Sequence, residues 1–208
     1  MADSKSDETL RRVLEAISQT SKNLYSPRED SYLLLDSIKT LNVQRRLVLD
    51  VGTGSGILSL YCALLGADVT AADIDHDAVQ FVAAAAEQLR TRLRSVASDL
   101  FTNIPGKFDV ILFNPPYLPS EDLRDRTIDG GAEGRVLIDR FLNDLSTHLK
   151  KDGVAYLLVS SLNNPSSITE AHPEYEFVSI AKRSLFFEEI QVLCVRLRND
   201  LPSQGSDG

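Results

Sequence analysis

Cysteine and histidine are scarce in this chain of 208 residues, with two of the first and three of the second. Cys62 and Cys194 both fall within apolar patterns. They read as reduced thiols in a core rather than as a disulfide framework. His76, His148 and His172 are scattered without metal-ligand spacing, so no metal site is expected. No apolar run approaches the ~18 residues needed to cross a bilayer. Residues 1–8 are polar and mixed in charge, unlike a signal peptide, and a cytoplasmic protein is expected. Positive charge is also in deficit: 22 Lys and Arg stand against 30 Asp and Glu, for a net charge of −8. Such a chain has no general electrostatic attraction to nucleic acid phosphate. Arg90, Arg92 and Arg94 alternate at a helix-to-strand junction and read as solvated surface. There is no internal repeat. The length suits one domain, and a composition 43% hydrophobic and 25% charged is that of a soluble globular protein.

What is present is a regular alternation of elements. Residues 7–20 carry Leu10, Val13, Leu14 and Ile17 at helical spacing. Ser26, Pro27, Glu29 and Asp30 form a turn and acidic first turn opening a second helix, with Tyr32, Leu33, Leu34, Leu35 and Ile38 on its apolar face. Strands are expected at 47–51, 68–72, 94–97, 108–113, 154–160, 177–181 and 190–197. Helices are expected at 55–65, 77–93 and 134–149, with a short helix or turn at 163–171. This order argues an α/β fold built on a parallel, doubly wound sheet with right-handed crossovers. Residues 1–24 read as an N-terminal helical extension, 25–198 as a single domain and 199–208 as a disordered tail.

In such sheets, ligands bind outside the carboxyl ends of the strands. The chemistry-bearing residues of this chain fall at four such ends. The first strand runs through Asp50 into Gly52, Thr53, Gly54, Ser55 and Gly56. Glycines at a strand-to-helix turn let backbone approach a ligand and expose helix N-terminal N–H groups. The spacing is Gly-x-Gly-x-Gly rather than the Gly-x-Gly-x-x-Gly of dinucleotide sites. Asp50 would repel a pyrophosphate but suits an amine or a sulfonium. Asp73 ends the second strand, Asp99 follows the third, and Asn114, Pro115, Pro116 and Tyr117 follow the fourth. Asn114 offers one acceptor oxygen and two donors. Two prolines stop the ladder and stiffen the loop. Tyr117 adds a flat amphipathic face. Together they make a clamp for a planar group bearing NH2, an amide or an exocyclic amine.

These residues resemble the class I S-adenosylmethionine-dependent methyltransferases, and more narrowly the HemK-like protein-glutamine methyltransferases that modify translation termination factors. The resemblance covers about 24–141 and continues more weakly to about 198. It rests on Tyr25, Ser26, Pro27, Arg28, Glu29, Asp30 and Ser31, which look like the segment at the mouth of the site in the short eukaryotic and archaeal branch. It rests equally on residues 114–117 and on Gly130, Gly131, Ala132, Glu133, Gly134 and Arg135 before a helix holding Asp139, Arg140 and Phe141. Only about 24 residues precede the first segment, which favours the short branch over the bacterial one with its long helical N-terminal domain.

The resemblance implies a Rossmann-like fold, with a mostly parallel seven-stranded sheet, helices on both faces and an antiparallel last strand. It implies S-adenosyl-L-methionine as cofactor. Gly52, Thr53 and Gly54 would pass beneath the methionine part with Asp50 nearby. Asp73 would hold the ribose hydroxyls with Ile74 beside it, and Asp99 and Leu100 would meet the adenine. Ser31 would touch the cofactor carboxylate; the alternative is a helix-surface serine. A strand-end helix cap fits Asp75 or Asp77 better than Asp73, and His76 reads as a solvated helix-start residue. Asn114, Pro115 and Tyr117 would be catalytic, and with Pro116 would bind the substrate; Asn114 would also touch the cofactor. The Asn114 oxygen and the Pro115 carbonyl would each accept one N–H of the glutamine amide in the Gly-Gly-Gln loop of a class 1 peptide chain release factor.

An adenine N6-methyltransferase acting on DNA or RNA is the chief alternative, since adenine also presents a planar NH2; the acidic composition argues against nucleic acid as direct substrate. Methylation of a lysine or a small molecule, and a non-catalytic cofactor-binding subunit, are further readings that the clamp disfavours. Residues 118–133 are long for a connector and read as a lid or a partner-shaped surface, with Arg124 and Arg126 able to meet substrate backbone. The family also implies a heterodimer with a small zinc-binding activator of the Trm112 type. The third strand would offer an edge for it. The preceding helix, with Phe81, Val82, Ala85, Leu89 and Leu93, either packs on its own sheet or adds to that surface.

Overall fold

The alternation resolves into one seven-stranded sheet in the computed structural model, which describes residues 2–20, 27–116 and 135–198. In chain order the elements are α1 (Ala2–Thr20), α2 (Glu29–Ile38), β1 (Leu47–Val51), α3 (Ile57–Leu64), β2 (Asp68–Asp73), α4 (His76–Gln88), β3 (Arg94–Ala97), β4 (Phe108–Phe113), α5 (Val136–His148), β5 (Leu149–Ser160), a short 3-10 turn, α6 (Pro165–Ala171), β6 (Tyr175–Ser184) and β7 (Glu189–Leu197). The strand order is β3-β2-β1-β4-β5-β7-β6. The pairs from β3 through β5 are parallel, while β7 lies antiparallel between β5 and β6. The expected mostly parallel sheet with an antiparallel last strand is therefore observed. The insertion of β7 between β5 and β6 was not legible in advance.

The central strands bury both faces, as parallel strands covered by crossover helices must. Alternate residues go to opposite sides. Val48, Val69, Ala71, Val110, Leu112 and Tyr156 join one core with α1, α2, α3 and α4. Leu49, Val51, Ala72, Ile111, Phe113 and Leu157 join the other, with α5 and α6. Within that second core Phe141 stacks between Phe101 and Phe113, with ring centroids 5.3 and 4.5 Å away. The N-terminal helix α1 shares the first core: Val13 and Ala16 are buried there, and Ser6 hydroxyl meets Tyr61 hydroxyl at 2.8 Å. Phe81, Val82, Ala85 and Leu89 of α4 are buried in the same core, with Leu93 packed against it. Of the two readings of that helix, internal packing is the one observed. β3 is an edge strand of the sheet, as expected.

Helix α4 ends at Gln88 rather than at 93. Arg90 adopts φ +54°, and the Thr91 N–H returns to the Ala86 carbonyl at 3.0 Å. This is a left-handed helix stop made without glycine or asparagine, so nothing in the residue types announced it. Arg90, Arg92 and Arg94 are exposed, as read. Both cysteines are buried and free, Cys62 on α3 and Cys194 on β7. No helix among the described residues is long and apolar enough to cross a membrane.

The turn between β1 and α3 is set by close packing. Gly56 has φ +74°, and a Cβ there would stand 2.7 Å from a methyl of the fully buried Val82. Gly106 has φ +88° with open space around it. Gly56→Ala should therefore cost about 2–4 kcal/mol, combining left-handed backbone strain with overpacking. Gly106→Ala should cost only about 1 kcal/mol, from the backbone alone. Urea unfolding of both variants checks the order; equal losses would sink the packing account.

Candidate active site

The strand register brings the flagged residues to one end of the sheet. Val51 pairs with Ala72 and with Phe113, and Asp73 pairs with Ala97. Gly52, Asp73, Ser98 and Asn114 are thus the first residues beyond, or the last within, four adjacent strands. The loops are tied to one another by backbone bonds. Thr53 N–H donates to the Ala72 carbonyl at 2.9 Å and Ser98 N–H to the Asp73 carbonyl at 2.8 Å.

Asp50 is turned inward. It shares strand parity with Val48, so its carboxylate faces α3, where Ser59 lies. One oxygen accepts the Ser59 hydroxyl at 2.6 Å and the Thr53 hydroxyl at 2.8 Å, and the residue is 1% exposed. Burial pushes its carboxyl up to about 6, against the lowering pull of the Ser59 and Thr53 hydrogen bonds. Asp50 therefore anchors the glycine turn from beneath. Ser59, its strongest partner, was not singled out from the sequence.

Asp73 lies at the open end of β2. Its Oδ2 accepts the Gly54 N–H at 2.8 Å and its Oδ1 accepts the Asp75 N–H at 3.0 Å. Burial raises its carboxyl, while those backbone N–H groups pull the other way. The helix-cap role falls to Asp75, whose side chain accepts the Asp77 N–H at 2.8 Å, as the residue types implied. His76 is exposed at the start of α4. Ile74, next to Asp73, is 55% exposed, an apolar face with no cover among the described residues. Leu100 is buried at φ +47°. Asp99 is half-exposed and pairs with Arg140 of α5 at 2.8 Å, a partner that the sequence did not reveal.

Asn114 leaves β4 with its amide end pinned. Its Nδ2 donates to Asp30 Oδ2 at 3.2 Å. Its Oδ1 is shielded from solvent and has no hydrogen-bond partner among the described residues. Pro115 is buried and Pro116 half-buried beside it. Asp30 is itself buried, as is Ser31, which gives its N–H to Asp30 Oδ1 at 2.7 Å and its hydroxyl to the same atom at 3.3 Å. Ser31 is thus no helix-surface serine. Glu29, the other acid of this first turn, pairs with Arg183 of β6 and fixes the start of α2 against the sheet. Asp30 belongs to the segment that resembles the mouth of the site, but its burial and its contact with Asn114 come from the packing of α2. Tyr117, Arg124, Arg126, residues 130–134, Tyr25 and Ser26 lie outside the described residues.

Residues 27–184 match the model of the methyltransferase small domain. The chain is 41% identical over 179 residues to a protein of Methanocaldococcus jannaschii named "Putative protein N5-glutamine methyltransferase MJ0928", covering 82% of this chain and 90% of that one. It is 32% identical to Methyltransferase HEMK2 of Mus musculus, over 71% of this chain and 76% of that one. Among solved structures, Mtq2 in the E. cuniculi Mtq2–Trm112 complex, described as responsible for methylation of the eRF1 termination factor, superposes with a TM-score of 0.69 at 28% identity. That match covers 84% of this chain and 98% of that chain.

The buried Asp50 carboxyl makes a stability prediction. Its native value near 6 lies above the ordinary 3.8. The native state therefore binds more protons than the unfolded state between those values, and stability falls as pH rises through that window. Relative to Asp50→Asn, the wild-type protein should lose about 2–3 kcal/mol from about pH 4 to about pH 7. Urea unfolding across that range reads the difference, and parallel curves for the two proteins would refute it.

Proposed function

From the membership of this chain in the methyltransferase small-domain family, as a HemK-like protein-glutamine methyltransferase, we propose that it methylates the glutamine of the Gly-Gly-Gln loop in a class 1 peptide chain release factor. One observation carries the choice of acceptor. Asn114 Oδ1 is a buried hydrogen-bond acceptor without a donor among the described residues. Such an atom costs free energy unless a ligand brings an N–H or O–H to it. A primary amide brings two N–H groups on one nitrogen, which suits Asn114 Oδ1 together with the Pro115 carbonyl.

The site also fits S-adenosyl-L-methionine. A carboxylate has about four acceptor positions. Asp73 takes backbone N–H groups on both oxygens, and its remaining acceptor capacity suits ribose hydroxyls. Ile74 offers apolar cover for the adenine, with Leu100 and Asp99 on the adjoining loop. Gly52, Thr53 and Gly54 form the turn under the methionine part, and Ser31 stands near Asn114 through Asp30. Asp50 places buried negative potential beneath this turn, suited to a cationic ligand and hostile to a phosphate. When bound, the cofactor supplies an electrophilic methyl group on a sulfonium that departs as a neutral thioether.

The residues of the chain then have a positioning task. An amide nitrogen is a poor nucleophile because its lone pair is delocalised. Two acceptors, Asn114 Oδ1 and the Pro115 carbonyl, hold both N–H bonds and so fix the nitrogen's direction. Orientation of this kind can be worth ~7–11 kcal/mol. The same acceptors stabilise positive charge as it grows on nitrogen. After transfer the cationic nitrogen, a strong acid, gives its proton to water, so no strong base is needed. Tyr117 would stack on the planar amide. A zinc-binding activator of the Trm112 type would bind along β3, the edge strand, whose outer side pairs with no strand among the described residues.

Methyl transfer from labelled S-adenosylmethionine tests the reading, with and without a Trm112-type partner. A release factor with an intact Gly-Gly-Gln loop should take up label, and replacing that glutamine should abolish it. Asn114→Ala should lower kcat by about 100-fold or more, the scale of a lost positioning contact. Label on adenine-containing DNA alone would overturn the proposal.

A further inference from the structure

Asp30 is 84 residues from Asn114 in sequence, yet its buried carboxylate meets the Asn114 amide at 3.2 Å. The two carboxylate oxygens have different duties. Oδ1 takes the Ser31 N–H and hydroxyl, while Oδ2 faces Asn114 Nδ2. An ionised carboxylate accepts hydrogen bonds and has none to give. Only the NH2 end of the Asn114 amide can therefore satisfy it. The oxygen end must then point the other way, where it stands buried and without a donor. Were the amide rotated by half a turn, two acceptors would face each other at Asp30, and the substrate would meet donors where it needs an acceptor.

We propose that Asp30 is a positioning residue that fixes which end of the Asn114 amide faces the methyl acceptor. The proposal rests on the reading of Asn114 as the substrate clamp. The start of α2 is built to hold Asp30 in place: Glu29 is paired to Arg183 on β6, and Tyr32 N–H closes the first helical turn onto the Arg28 carbonyl at 3.0 Å. Asp30→Asn keeps the shape and removes the constraint. A neutral amide at position 30 can accept from Asn114 or donate to it, so both orientations of Asn114 become available and the acceptor Oδ1 is partly consumed.

The test uses the full chain with its activator, and two readouts. In steady-state methylation of the release factor, Asp30→Asn should lower kcat at least tenfold. Its KM, its affinity for S-adenosylmethionine and its melting temperature should stay close to wild type. An unchanged kcat overturns the proposal. The second readout needs neither substrate nor variant. In 15N-labelled wild-type protein, the Asn114 side-chain amide should show one proton shifted downfield and protected from exchange; a freely exchanging Asn114 NH2 overturns the proposal even if Asp30→Asn does not fold. A wild-type protein that methylates no glutamine, but keeps a protected Asn114 amide, would count against the proposed substrate and still support the positioning role.

Discussion

The central strands β1 and β4 are covered on both faces, and the reactive end of the molecule depends on that constraint. Alternate residues of each strand must enter different cores, one under α1 to α4 and the other under α5 and α6. A slip of one residue would send each set into the core packed for the other, where its side chains do not match the cavities left for them. The register is therefore fixed, and with it the relative heights at which β1, β2 and β4 end. The glycine turn, Asp73 and Asn114 are neighbours because the apolar residues behind them admit one alignment. The Thr53 and Ser98 backbone bonds lock the emerging loops together at that level.

On this platform lie several acidic groups, and their environments divide their work. Asp50 is fully enclosed and grips two hydroxyls. Asp73 stands at the rim, half-satisfied by backbone N–H groups. Asp30 is buried against Asn114, and Asp99 is half-exposed and paired with Arg140. The resulting negative potential disfavours a phosphate and favours a cation. Burial raises both the Asp50 and Asp73 carboxyls, against the pull of the hydrogen bonds that each accepts.

Much of this was legible in the residues alone. The bounds of β1 and β4 agree with their largely apolar runs, because a short parallel strand covered on both faces is apolar nearly throughout. Of the two acids that could cap α4, Asp75 and Asp77, the structure selects Asp75, whose side chain accepts the Asp77 N–H. The stop of α4 at Gln88 was not legible, because Arg90 takes a left-handed conformation that its side chain does not advertise. Nor was the early start of β5 at Leu149, since the polar residues that follow look like a turn. Those residues continue the strand past a register irregularity against β4.

The sequence by itself determined the alternation of strands and helices, the residues at each strand end and the functional groups they carry. All of these are local: they reside in period, turn chemistry and the functional groups of adjacent residues. Only the tertiary structure decided that Asp50 turns towards Ser59, that Asp99 meets Arg140 and that the NH2 of Asn114 faces Asp30. Those contacts join residues from different elements, and hydrogen-bond geometry has no meaning until packing sets the distance. Asn114 was legible in the sequence, but the direction of its amide was set by a carboxylate on another helix.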